Sequence, residues 1–231
     1  MNLREMNWMQ VEAYLEADDR IVIPLGSTEQ HAYLSLFTDA ILAERVALEA
    51  CGPLGIPVCP VVPFGMTPRF LAYPGTISLR TETYLALLED LVTSLHGQGF
   101  RRFVFVNGHG GNCPIWPSLS LWFEKNIDCR GVFHDWWRAP ETWRIVTATD
   151  PVAMHASWME NFPWTRIAGI AQPEEAKPAI MLEQLHDVTP EMVRIRLGDG
   201  NFGGRYARAD AEMHAIWAIA VEETRRVIAA V

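Results

Sequence analysis

The sequence predicts an α/β fold with a mostly parallel central sheet covered by helices on both faces. Three observations carry this. Short apolar runs of strand length alternate with longer segments whose apolar residues recur at helical spacing. Two polar loops, each placed just after an apolar run, hold carboxylates and imidazoles close together in sequence. The composition, 49% hydrophobic and 20% charged over 231 residues, suits a full core within one globular domain spanning residues 1–231.

Taken in order, Ile21 to Leu25 is an apolar run closed by Gly26, the length of a buried strand. Asp39 to Cys51 spaces Ile41, Leu42, Val46 and Leu48 as a helix would, and stops at Gly52-Pro53. Pro57 to Val62 is expected as a second strand. Residues 63–75 hold three prolines and two glycines among large apolar side chains, the make-up of a long ordered loop that carries function. Thr81 to His96 carries Leu85, Leu88, Leu91, Val92 and Leu95 at helical spacing, with Gly97 and Gly99 as terminators. Arg102 to Val106 is the third strand. Pro114 to Lys125 is a helix with proline in its first turn, and Gly131 to His134 a fourth strand. Residues 141–204 are irregular and rich in Trp, Pro and Asp. Ala209 to Ala229 closes the chain as an amphipathic helix with Met213, Ile216, Trp217, Ala220, Thr224, Val227 and Ile228 on one face. The order β-α-β-α-β-α-β makes the strands parallel, and ligands then bind beyond their carboxyl ends.

The formal net charge of -9, with no cluster of Lys or Arg, speaks against nucleic acid as a partner. No apolar stretch reaches membrane-spanning length, so no membrane is expected. Residues 1–19 contain acids and no apolar centre of the kind a signal peptide needs. The four cysteines, Cys51, Cys59, Cys113 and Cys129, are far apart and form no Cys-x-x-Cys, which disfavours a zinc knuckle or a disulfide framework. A cytoplasmic location is expected.

Glu29, His31 and Asp39 follow the first strand. Two carboxylates and an imidazole are ligand types for a hard-to-borderline divalent ion. Each also has a plainer explanation: Asp39 sits where Asp caps a helix, and Glu29 and His31 could be solvated in a turn. Alternate residues of an extended loop point to one side, so Glu29 and His31 can converge, and Leu34, Leu36 and Phe37 indicate that the segment is covered. The second loop reads Asn107-Gly-His-Gly-Gly-Asn112. It lacks the third glycine of a dinucleotide fingerprint, that place being Cys113, and lacks the Gly-Lys-Ser/Thr of a phosphate loop. What is left is His109 between glycines that permit close backbone approach, favoured as a ligand over a turn histidine. His155 and Glu160 form a third set, with exposed polar positions as the alternative. No Gly-x-Ser-x-Gly elbow is present, and Cys113 is expected as a small buried residue at a helix start rather than a nucleophile. Trp136, Trp137 and Trp158 lie near these segments and could shape a pocket.

Together these segments resemble the creatininase (creatinine amidohydrolase) family. Its pattern is approximately Gly-Ser-x-Glu-Gln-His-Gly-Pro-His-Leu-Pro-Leu-x-Thr-Asp, then Phe-Pro-Gly-Thr, Asn-Gly-His-Gly-Gly-Asn and His-Ala-Gly-x-x-Glu-Thr. Gly26 to Asp39, Tyr73 to Thr76, Asn107 to Asn112 and His155 to Asn161 match it, with a weaker match at Gly200 to Glu212. The resemblance implies a three-layer α/β/α fold, often hexameric, with one or two divalent ions (zinc, manganese or iron) at a centre that cuts a C–N bond. It implies Glu29, His31, Asp39 and His109 as metal ligands, Asp39 bridging. Where creatininase itself has a liganding glutamate two residues after the motif histidine, this chain has Gly111, and Glu160 would supply the carboxylate. His155 falls at the position assigned to proton transfer. Departures are a first motif one residue short, Ala32-Tyr33 in place of Gly-Pro-His, Pro68 to Leu71 before the Pro-Gly-Thr, and Asn161 in place of threonine.

The activity expected is hydrolysis of a small cyclic amide, formamide or related C–N bond by metal-activated water, with His155 giving a proton to the leaving nitrogen. Glu160 stands beside His155 in the catalytic set as well as among the ligands. Arg69, Tyr73 and Trp158 are expected to touch the small-molecule substrate, Arg69 by anchoring an anionic group or else as a surface arginine. Two rivals stand beside this reading: peptidase-type maturation of a ribosomal peptide, and a non-catalytic binding or assembly protein on the same fold. A homo-oligomer is expected, with some of Trp136, Trp137, Trp143 and Trp164 at subunit contacts.

Overall fold

A computed structural model describes residues 1–181, 185 and 187–231. Its centre is a parallel sheet of β1 (Arg20–Leu25), β2 (Arg102–Asn107) and β3 (Arg130–Asp135) in that order. Arg20 pairs with Arg102 and Arg102 with Arg130, while Leu25, Asn107 and Asp135 align at the other end. All three strands therefore end at one edge.

Side chains alternate across the sheet, as the period of two requires. Val22, Val104 and Val106 face a core shared with α2 (Thr38–Cys51), α5 (Pro140–Thr149) and α7 (Asp210–Ala229). Ile21, Ile23, Leu25, Phe103 and Phe105 face the opposite core, built with α3 (Thr81–Gln98) and α4 (Trp116–Lys125). This is the three-layer α/β/α arrangement. A third, smaller apolar cluster joins Phe70, Tyr73 and Phe202 to Val193 and Leu197 of α6 (Pro190–Leu197).

Pro57 to Val62 is not a regular strand. It follows β1 in parallel through isolated bridges, Val22 to Val58 and Leu25 to Val62, with Cys59 N–H donating to Val22 O at 2.8 Å and Gly26 N–H to Val62 O at 2.9 Å. Pro57, Pro60 and Pro63 lack the N–H groups that a continuous ladder needs. Pro114 lies in a 3-10 turn, Gly110–Ile115, and α4 starts only at Trp116, with Pro117 in its first turn. The segment expected to be irregular contains α5 and α6; its residues 182–184 and 186 lie outside the described residues. A further helix, α1 (Trp8–Leu15), opens with a capping box in which Asn7 and Gln10 bond each other's backbone N–H.

Candidate metal centre

The site forms at the carboxyl edge of the sheet, where the loops after β1 and β2 meet the first turn of α2. Two glycines make that meeting possible. A Cβ on Gly26 would stand 2.4 Å from Ala40 Cα, and one on Gly108 2.5 Å from Asp39 O. Both strand ends thus press directly on the helix turn that bears Asp39. Asp39 does not cap that helix; its side chain accepts from Ser27 Oγ at 2.7 Å and otherwise faces two histidines.

His31 Nδ1 donates to Glu29 O at 3.0 Å, which leaves Nε2 as the nitrogen that can meet an ion once its proton is displaced. That Nε2 is 3.0 Å from Asp39 Oδ1 and 3.7 Å from Glu160 Oε2. His109 Nε2 donates to Met66 O at 3.1 Å, and its Nδ1 faces Asp39 Oδ2 at 2.8 Å. Glu29 Oε2 lies 3.3 Å from His109 Nε2. Asp39 therefore turns one oxygen to each histidine. Donor atoms of Glu29, Asp39 and His109 lie within 4.8 Å of one another, as do those of His31, His155 and Glu160.

The second motif is explained by bracing. Asn107 Nδ2 donates to His109 O at 2.8 Å and to Asp135 Oδ1 at 2.7 Å, while Asn112 Nδ2 donates to Gly26 O at 3.1 Å. Met66 N–H donates to Asn112 Oδ1 at 3.2 Å, which holds the loop over the histidine. At Gly111 a Cβ would sit 2.1 Å from Met66 O and 2.3 Å from His109 Nε2. This loop conformation leaves no room for a carboxylate side chain there. Glu160, on the 3-10 turn Trp158–Glu160, comes in from the other side, its Oε2 accepting from Ala156 N–H at 2.6 Å.

His155 stacks on Phe70 at 5.0 Å and 12° and lies 4.6 Å from the His31 ring. Its Nε2 is 3.1 Å from Gln30 O, 2.9 Å from Gln30 Nε2 and 3.4 Å from Glu29 Oε1. Two alanines beside the site are in the left-handed region, Ala32 at φ 50° and Ala156 at φ 57°, a conformation that L side chains hold only where their surroundings enforce it.

The charges are strongly coupled. Burial opposes a charged His31, but Asp39 and Glu160 overcome it and push the imidazole up to about 10. Burial is likewise outweighed at His109, which Glu29 and Asp39 push up to about 9. Burial is the main cause raising Glu160 to about 7 and also raises Glu29. Asp39 resists the same burial and is held well below the usual carboxylate range by His31 and His109. His155 is depressed far below 6.5, by burial first and then by the charge on His31.

The residues fit a divalent ion. The donors are nitrogen and carboxylate oxygen only, the set that zinc and manganese accept. Glu29 Oε2 and His31 Nε2 are buried without a geometrically formed hydrogen bond, although His31 Nε2 comes within 3.0 Å of Asp39 Oδ1 and Glu29 Oε2 within 3.3 Å of His109 Nε2. Buried polar atoms with such short contacts and no hydrogen bond are what a coordination sphere requires.

Above these groups opens a cavity of about 650 Å³, lined by Glu29, Asp39, His109, His155, Glu160 and Arg69, with Trp137 and Trp143 on its wall. Of the residues expected to meet substrate, only Arg69 lines it. Trp158 is fully buried in the core, its Nε1 donating to Val152 O at 3.0 Å. Tyr73 packs behind Phe70 at 6.1 Å and does not reach the cavity. Both expectations are corrected: each side chain is large and apolar enough to be drawn into a core nearby. Cys113 accepts from Arg138 at 2.9 Å, and burial and Asp135 push its thiol up to about 11, which disfavours the thiolate. Gln30, Phe70 and Phe202, all against His155, were not expected from sequence. Gln30 had a signal in its place between two ligand types; the phenylalanines had none.

A family model described as creatinine amidohydrolase, Creatininase, matches residues 4–228. The mycofactocin precursor peptide peptidase of Mycobacterium tuberculosis (strain ATCC 25618 / H37Rv) is 41% identical over 103 residues, 40% of this chain and 41% of that protein. The 3-dehydro-scyllo-inosose hydrolase of Thermotoga maritima is 30% identical over 107 residues, 46% of this chain and 34% of that protein. The chain thus spans less than half the length of these curated relatives. A crystal structure of creatinine amidohydrolase (creatininase) superposes with a TM-score of 0.81 at 20% identity, covering 98% of this chain and 96% of the other. Related creatininase structures with similar scores, 0.78 and 0.80, are described as a Zn-Zn type and as an Mn form.

Proposed function

The chain belongs to the creatininase family, and from that premise we propose that it hydrolyses an amide C–N bond at a centre of two divalent ions. The observation that carries this is Asp39, whose two oxygens face His109 at 2.8 Å and His31 at 3.0 Å. Glu29, Asp39 and His109 would hold one ion, and His31, Asp39 and Glu160 the other. When bound, such ions polarise a carbonyl and ease the loss of a proton from water.

The chain's own residues would then do the following. The three carboxylates, Glu29, Asp39 and Glu160, would keep the reacting water oriented. His155, fixed by Phe70 on one face and by Gln30 at Nε2 and held neutral by burial, takes a proton from the reacting water and hands it to the departing nitrogen. Trp137 and Trp143 provide an apolar wall for the acyl or amine part of the substrate. The C–N bond breaks, a C–O bond forms, and water supplies hydroxyl to carbon and hydrogen to nitrogen.

A peptide amide is the substrate class favoured, because the relatives 38–41% identical over their aligned parts are described as precursor peptide peptidases. A cavity of about 650 Å³ is also roomier than one small ring requires. A small cyclic amide is the second reading, supported by the family's description as creatinine amidohydrolase. A non-catalytic role is disfavoured by the convergence of Glu29, Asp39 and His109, and of His31, His155 and Glu160, beside one open cavity. The test is hydrolysis of a panel of peptide and cyclic amides by protein loaded with zinc or manganese. Failure on every amide at full metal occupancy sinks the proposal.

A further inference from the structure

Arg69 is the only Lys or Arg lining the 650 Å³ cavity among the described residues. It is half-buried, and no carboxylate among the described residues pairs with it. Its neighbours differ: Arg194 donates to Ala72 O at 2.8 Å and lies over the Tyr73 ring, and Arg138 is paired with Asp135 at 2.6 Å. A guanidinium held over an otherwise acidic chamber, with no carboxylate paired to it among the described residues, is poised for an anion.

The turn that bears it is fixed to the centre on both sides. Met66 O, three residues before, accepts from His109 Nε2 at 3.1 Å. Phe70, one residue after, stacks on His155 at 5.0 Å and touches Phe202 at 5.9 Å. Thr67 N–H is held by Ser78 Oγ at 2.9 Å. The backbone of Arg69 thus has a set place relative to both imidazoles. It also stands at a junction. A second cavity, of about 450 Å³, shares Pro68 and Arg69 with the first and continues past Leu185, Asp187, Val188 and Pro190.

We propose that Arg69 binds a substrate carboxylate, and that this carboxylate is on the leaving-amine side of the scissile amide. The inference rests on the hydrolase reading above, in which His155 protonates the leaving nitrogen. Phe70 ties Arg69 to that histidine, so the group beside Arg69 is the amine half. The substrate class is then a peptide, or an N-acylated amino acid, cut at its C-terminal residue. The acyl carbon gains hydroxyl from water and ends as a carboxylate. The nitrogen gains hydrogen and leaves as the amine of an amino acid whose own carboxylate is on Arg69. The side chain of that residue extends into the outer cavity, which is apolar apart from Arg69 and Asp187.

The test uses metal-loaded protein, wild type, Arg69→Gln and Arg69→Lys, with matched short peptides ending in a free acid or in an amide. Two quantities are read: kcat/KM, and binding of N-acetyl amino acids against their amides by tryptophan fluorescence, since Trp137 and Trp143 line the cavity. Wild type should prefer the free acid by about 10- to 100-fold, the range of a charge-assisted hydrogen bond. Arg69→Gln should bring the acid down to the level of the amide, and Arg69→Lys should keep part of the preference, having charge without the planar fork. Hydrolysis with no preference in wild type, or with the preference intact in Arg69→Gln, overturns the subsite and leaves the hydrolase reading standing. Binding of the acid that depends on Arg69, with no amide cut, supports the subsite and sinks the hydrolase reading. Absence of both cleavage and carboxylate-dependent binding overturns the inference. Circular dichroism and metal content show whether the variants fold as the parent does.

Discussion

Each imidazole at this centre has a role fixed by what its second nitrogen meets. His31 spends Nδ1 on Glu29 O and His109 spends Nε2 on Met66 O, which turns the remaining nitrogen of each toward Asp39. His155 differs, since its Nε2 is met by Gln30 and its ring is clamped by Phe70. His155→Ala should therefore keep metal and fold while turnover falls by roughly 10²- to 10⁴-fold. Loss of metal in that variant would make His155 a ligand, as its closeness to His31 and Glu160 also allows. The charges give a second expectation, for chelator-treated protein. His31 and His109 have folded pKa values raised to about 10 and about 9 from 6.5, so their contribution is complete below 6.5 and is lost as pH rises through 9 and 10. Glu160, raised to about 7 from 4.5, acts in the same direction over a lower window. The depressed groups, Asp39 and His155, titrate below pH 7 and do not contribute to the change above it. Tm of the stripped protein should fall steadily from pH 7 to 10, and a flat profile over that range would contradict the coupling.

At the scale of elements, the helix beside the cavity mouth depends on another helix. The first N–H groups of α5 have no cap of their own: Glu141 N–H and Thr142 N–H donate to the Glu223 carboxylate of α7 at 2.9 and 2.8 Å, and Thr142 Oγ1 adds a third bond at 2.8 Å. Glu223→Ala should cost about 1–3 kcal/mol in chemical unfolding, the usual consequence of leaving buried donors unpaired. It should also loosen Trp143, which α5 carries. An unchanged midpoint would show that water replaces the carboxylate at no cost. This borrowed cap is one reason α5 was not legible in the sequence, since its partner is some eighty residues away. The helices α1 and α6 were legible and overlooked: Asn7 with Gln10, and Thr189 before Pro190, are local start signals. The three regular strands and the helices α2, α3 and α7 came through because each keeps one apolar period for its whole length. Pro57 to Val62 shows the converse, an apolar run whose prolines deny it a ladder. The residues of the centre could be read for a physical reason as well. Glycine at 26, 108 and 111 is demanded by backbone contacts under 3 Å, and that demand leaves a visible spacing around Glu29, Asp39 and His109. Trp158 and Tyr73 had no such constraint, and sequence alone did not show which way they face.

For the whole molecule, the aromatic load divides in two. Trp136 and Trp164 pack within the chain against Phe162 and Trp217, and Arg45 lies 3.9 Å over Trp164, while the indole N–H of each is buried without a hydrogen-bond partner. Trp136 is buried in that cluster and Trp164 is half-buried at its side. Trp143, 39% exposed, and Trp137 remain at the cavity mouth. We retain the homo-oligomer as a proposal centred on that mouth, and light scattering at micromolar concentration should give a mass well above 26.1 kDa. A monomer would show that the mouth opens to solvent alone. The central claim, two divalent ions sharing Asp39, is tested most directly by elemental analysis of protein purified without chelator and then equilibrated with zinc or manganese. About two ions per chain are predicted, with Asp39→Asn losing more of them than Glu160→Gln. A protein that holds no metal and takes none up, or an Asp39→Asn variant that binds as the parent does, would contradict it.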